Sequence, residues 1–129
     1  MSAALATAGR ILLGGFFVLA GISKLLDPAA PVAMMAGEGF PAPSLLLPLV
    51  VALEIGGGLV VASGWRRALV PAALALAVFT VATNLAFHRF WEVGDAVLRQ
   101  LELSLFFKNL AVAGGLLAVA GLSRTGGRA

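Results

Sequence analysis

The chain contains no cysteine. That removes structural disulfides, thiolate metal sites, cysteine-ligated iron–sulfur clusters and any intramolecular dithiol relay from its repertoire. It has one histidine, His88, so a bis-histidine haem within one chain is excluded. Haem held by His88 with Met34 or Met35 is poorly supported by the surrounding residues. Metal-ligand spacing, a phosphate loop, a nucleophile elbow and a dinucleotide fingerprint are all missing, which disfavours metal, flavin and nucleotide cofactors alike. Charge is scarce as well: 12% of the 129 residues are charged, against about 25% in an ordinary soluble domain. The net charge of +3 and the isoelectric point near 10.7 could suggest nucleic acid. The basic residues, however, flank apolar runs and form no stripe, and no recognition module accompanies them, so nucleic acid is not an expected partner.

What is present is apolar surface. Hydrophobic residues make up 60% of the chain and the mean hydropathy is +1.03, which points to lipid as the solvent. A helix needs about 20 apolar residues to cross roughly 30 Å of hydrocarbon. Four segments qualify: about 5–26, 44–63, 68–87 and 103–122. Period-2 alternation is absent, which argues against a membrane β-barrel. The expected fold is therefore all-α, an integral membrane four-helix bundle forming a single domain over 1–129. The first span has the apolar core of a signal peptide, but no small-x-small cleavage pattern ends it and three further spans follow.

The placement of charge suggests a direction. Arg10, Arg66, Arg67, Arg124 and Arg128 fall on the side that carries both termini and the 64–67 turn. Lys24, Arg89 and Arg99 fall on the other, diluted by Asp27, Glu38, Glu92, Asp95 and Glu102. The basic excess predicts cytoplasmic termini, with Trp65 at the inner interface and Phe90 and Trp91 at the outer one. A weak repeat is also visible: Leu53 to Leu59 aligns with Leu110 to Leu116, and Arg10 with Arg67, at one common offset. It suggests two helical hairpins of parallel orientation.

Charged groups facing lipid cost about 2.5–3.5 kcal/mol at mid-span on insertion scales, so the polar residues should turn inward. Their spacing agrees. Arg10, Gly14, Phe17, Gly21 and Lys24 share one helix face, Thr80, Asn84 and His88 another, and Ser104 and Lys108 a third, with Asn109 adjacent. Glu54 precedes Gly57 and Gly58, small residues that let a neighbouring helix approach. One reading makes this set internal glue, with Arg10 and Lys24 snorkelling to the interfaces. The other makes it a polar pocket open to the outer side, with Arg10, Lys24, Glu54, Asn84, His88, Lys108 and Asn109 as candidate residues. Depth along the helices pairs Lys108 with Glu54, with Arg10 as runner-up and Asn109 in support.

"RILLGGFFVLAGISKLLDP" (Arg10 to Pro28), "LEIGGGLVVASG" (Leu53 to Gly64) and "FFKNLAVAGGLLAVAG" (Phe106 to Gly121) together resemble the DoxX family of small bacterial membrane proteins. The resemblance spans nearly the whole chain. It implies a four-helix bundle in the bacterial inner membrane and a role as membrane subunit of an oxidoreductase or redox-stress system, with a quinone as the one cofactor to consider. Redox-protein partners and a homo-oligomer fit that picture. A non-catalytic assembly or scaffold protein is the alternative, and a small-solute transporter a more distant one. The family supplies no established catalytic residue to carry over. Without cysteine, thiol chemistry could not be this chain's own.

Overall fold

The computed structural model describes residues 2–125. Four long helices cross in alternating directions: α1 (Ala3–Leu26), α3 (Pro43–Ser63), α4 (Leu69–Phe87) and α5 (Ala96–Thr125). All four are long and apolar enough to span a membrane. A short helix α2 (Ala29–Gly37) lies between α1 and α3, and a single 3₁₀ turn, Phe90–Glu92, lies between α4 and α5. There is no strand among the described residues. Ser2, the 64–67 turn and Thr125 sit together at one end, hereafter the terminal end; α2 and the 3₁₀ turn occupy the opposite, loop end. Arg128 lies outside the described residues.

Local sequence explains where the helices begin and stop. The Ser2 hydroxyl accepts from the Ala4 amide at the start of α1, and the Asp95 carboxylate accepts from the Leu98 amide at the start of α5, each filling one of the orphan donors of a first turn. Gly64, at φ 72°, closes α3 in the left-handed conformation that glycine adopts without strain. Two elements depart from the hydropathy reading. Helix α2 is apolar but nine residues long, too short to span. Helix α5 starts seven residues before the apolar run, because Arg99, Gln100 and Glu102 are good helix formers that hydropathy cannot register. At 30 residues it is about 45 Å long, so its first turns stand beyond the roughly 30 Å of hydrocarbon.

The helices pair as two hairpins, α1 with α3 and α4 with α5, the pairs that the internal repeat suggests. Gly14 and Gly58 make the first pair intimate. A methyl group on Gly14 would collide with the Gly58 carbonyl and lie 2.6 Å from the Ala62 nitrogen; one on Gly58 would lie 2.6 Å from the Gly14 carbonyl. Gly57 faces the other hairpin, against Leu76 of α4, whereas Gly56 faces open space. The main core gathers Phe17, Val61, Leu76, Ala77, Leu116 and Ala120 between the hairpins. A second cluster at the loop end, Met35 with Leu47 and Val51, seats α2 on α3. The ring is not closed evenly, since α1 and α5 touch only sparingly.

Candidate functional site

Polar contacts made by four side chains, Lys24, Asn84, His88 and Arg89, define the loop-end half of the bundle. Lys24, two residues from the end of α1, places Nζ 2.9 Å from both carboxylate oxygens of Glu54 on α3. The Glu54 side chain is 5% exposed and that of Lys24 27%, so the acid is sealed within the protein and the ammonium stands at its mouth. Two of the three ammonium N–H groups are spent on the carboxylate; the third remains available. Across the bundle, Asn84 (1% exposed) donates to the Phe106 carbonyl at 3.0 Å and accepts from the Asn109 amide at 3.2 Å, stitching α4 to α5. His88 Nδ1 meets Glu102 Oε2 at 2.7 Å; a proton held there leaves Nε2 as the ring nitrogen free for another partner. Arg89 reaches Glu38 at 2.7 Å and Glu92 at 2.8 Å.

Lys24, Glu54 and His88 line a cavity of about 340 Å³ between α1, α2, α3 and α4. Its walls are mostly apolar, from Pro31, Met34, Met35, Leu47, Phe79 and Phe87, and its polar groups are Lys24, Glu54, Thr83 and His88. Helix α2 forms its roof. Two contacts pin that roof to the end of α4: the Phe40 and Phe87 rings stack at 5.6 Å, and Glu38, just past α2, holds Arg89. A mostly apolar concavity with a few convergent polar groups is the usual form of a small-molecule site. Among the described residues no three His, Asp or Glu side chains cluster as metal ligands would.

The expected pairing of Lys108 with Glu54 is wrong. Helices α3 and α5 belong to different hairpins, and Lys108 projects from the exposed face of α5, its Nζ 5.7 Å from the centre of the Phe16 ring on α1. Contact with an aromatic face partly offsets the cost of its charge. Asn109, expected to support that pair, serves Asn84 instead. Arg10 is no partner for Glu54 either: Glu54 packs at the level of Gly21, eleven residues along α1 and about 16 Å from Arg10 by helical rise. Snorkelling does not describe Lys24, which turns inward to the acid.

Of the seven candidates, the structure therefore brings Lys24, Glu54 and His88 to one cavity, places Asn84 and Asn109 in the seam beside it, and leaves Arg10 and Lys108 elsewhere. Reading the sequence missed Thr83, Glu102, Arg89 and Glu38. Glu102 was recoverable in principle, since a helix starting at Ala96 sets it beside the end of α4. The Arg89–Glu38 contact joins two loops 51 residues apart, and nothing in the local sequence signals it.

Comparison with known proteins agrees with this architecture. The chain is 36% identical over 111 residues to the inner membrane protein YqjF of Escherichia coli K12, covering 86% of this chain and 78% of that protein. It is 29% identical over 112 residues to the inner membrane protein YphA of the same organism, covering 86% and 77%. No solved structure matches. The four spans and these relatives make it a multi-pass inner-membrane protein. The sequence model of the DoxX family matches residues 5–89, from α1 through the end of α4 and thus every helix that walls the cavity, and the chain belongs to the DoxX family.

Proposed function

We propose that the loop-end cavity binds the ring headgroup of a membrane quinone and that the protein serves as the membrane subunit of a redox system. One observation carries the reading: Lys24, with an N–H to spare, and His88 line the same mostly apolar cavity. A quinone headgroup offers two carbonyl oxygens on a flat apolar ring. Lys24 would donate to one and the imidazole would address the other, while Phe79, Phe87 and the two methionines would sandwich the ring. Two-electron reduction to the quinol takes up one proton at each oxygen. The Lys24 ammonium and a doubly protonated His88, through its Nε2–H, would each give up one proton and regain it from water at the loop end, and a partner redox protein would supply the electrons. Asn84, committed to Phe106 and Asn109, would fix the geometry without touching the ligand.

The charge pattern supports an orientation for this assembly, with the termini in the cytoplasm and the cavity near the opposite leaflet. Purification from native membranes in mild detergent, followed by solvent extraction, tests the reading. A near-stoichiometric quinone that is lost in the His88→Ala variant is the expected result. Protein free of quinone, yet still co-purifying with other proteins, would instead favour an assembly or scaffold role.

A further inference from the structure

Among the described residues the terminal end of the bundle carries basic side chains and no acidic ones. Arg10, Arg66, Arg67 and Arg124 lie there, whereas all six acidic side chains, Asp27, Glu38, Glu54, Glu92, Asp95 and Glu102, lie toward the loop end. Arg10 is the half-buried member of that basic set, the other three being exposed. Its guanidinium lies against Gly64 at the end of α3, where an added methyl group would stand 2.9 Å from Nε and from Nη2. Nη2 donates to the Thr7 hydroxyl at 3.2 Å. Nε is shut off from solvent and has no acceptor among the described residues. A guanidinium carries five N–H donors in a planar fork suited to a carboxylate or a phosphate, and here the Nε donor is buried with nothing to meet.

Beside Arg10 the ring of helices is open. Helices α1 and α5 come together where Leu13 packs near Gly115 and part below it, leaving a groove of about 800 Å³. Its walls are apolar, with Leu5, Leu13, Ala118, Val119 and Leu122 prominent, and Arg10 is its one charged residue among the described residues. The hydroxyls of Ser123 and Thr125 at its edge are turned back onto the Val119 and Leu122 carbonyls.

We propose that this groove binds an anionic phospholipid of the leaflet at the terminal end, its phosphate on Arg10 and one acyl chain along α1 and α5. Charge complementarity selects this occupant. A second copy of the chain, held in the same membrane orientation, would present an end without acidic side chains among the described residues and set Arg10 against like charge. A free anion would satisfy the guanidinium but leave the apolar walls unused. A lipid satisfies both with one molecule, and the groove opens sideways to the hydrocarbon from which such a lipid arrives.

The test is native mass spectrometry of the full chain released from detergent, titrated with phosphatidylglycerol, phosphatidylcholine or inorganic phosphate. Expected is retention of one phosphatidylglycerol in preference to phosphatidylcholine, weakened roughly fivefold or more in Arg10→Gln and partly restored in Arg10→Lys. Lys108→Gln, which removes a cation outside the groove, should bind as the parent does. Ala118→Phe fills the groove from an exposed position and leaves Arg10 in place; it should also lose the lipid, and it carries the test if Arg10→Gln fails to fold. Equal retention of the two lipids, displacement of phosphatidylglycerol by inorganic phosphate, unaltered binding in Ala118→Phe, or a lipid-free dimer that Ala118→Phe disperses would each overturn the proposal.

Discussion

Removing either member of the Lys24–Glu54 pair should be among the most damaging single changes the bundle can suffer. Both carboxylate oxygens lie 2.9 Å from one ammonium, and the acid is almost wholly enclosed. Lys24→Met leaves a carboxylate buried without its counter-charge, and Glu54→Leu leaves an ammonium at the mouth of an apolar cavity. Breaking a buried pair from one side costs about 3–5 kcal/mol in soluble proteins, a roughly hundred- to several-thousand-fold shift in a folding equilibrium. Replacing both partners removes the charge altogether, and such replacements are often neutral or stabilising. The double variant Lys24→Met, Glu54→Leu should therefore recover most of the loss, so the coupling energy should approach the sum of the two single losses and exceed the roughly 0.5–3 kcal/mol usual between contacting residues. Reversible unfolding in bicelles, run as a double-mutant cycle, reads these quantities. Lys108→Met serves as the control: it should couple to Glu54 by less than about 0.5 kcal/mol, being on another hairpin. Additive losses for Lys24 and Glu54, or strong coupling of Glu54 to Lys108, would refute the assignment.

Two further outcomes follow from the fold. Gly14→Ala should force α1 and α3 apart at their closest crossing and destabilise the bundle by roughly 1–3 kcal/mol, whereas Gly56→Ala, facing open space, should be close to neutral in the same unfolding assay. Reporter fusions after Thr125 should give a cytoplasmic signal, and fusions within the 37–42 segment and at Asp95 the opposite one; reversed signals would refute the orientation argued from basic residues.

The sequence and the structure agree where burial follows directly from lipid as solvent. Span length and apolar composition located the four long helices to within a residue or two at most ends, because nothing else crosses hydrocarbon with its backbone satisfied. Helical spacing identified the inward faces: Gly14, Phe17 and Gly21 are buried on α1, and Thr80 and Asn84 on α4. The partners of those faces were not legible. Lys24 and Lys108 lie at comparable depths, and depth alone cannot tell which helix stands beside Glu54. Helix adjacency decides it, and α1, packed on α3 through Gly14 and Gly58 despite the long connection that holds α2, is the neighbour. Helix α2 lies outside the four apolar runs, because its nine residues are too few to span. As the roof of the cavity it is also the element that made the site hardest to foresee.

A photoreactive quinone analogue, added to the protein in liposomes and mapped by peptide mass spectrometry, tests the central claim most directly. The account predicts labels on α2 at Met34 or Met35 and on α4 near Phe87, suppressed by excess native quinone and reduced in His88→Ala. Labels spread over the lipid-facing surfaces of all four helices, unaffected by competitor, would contradict it.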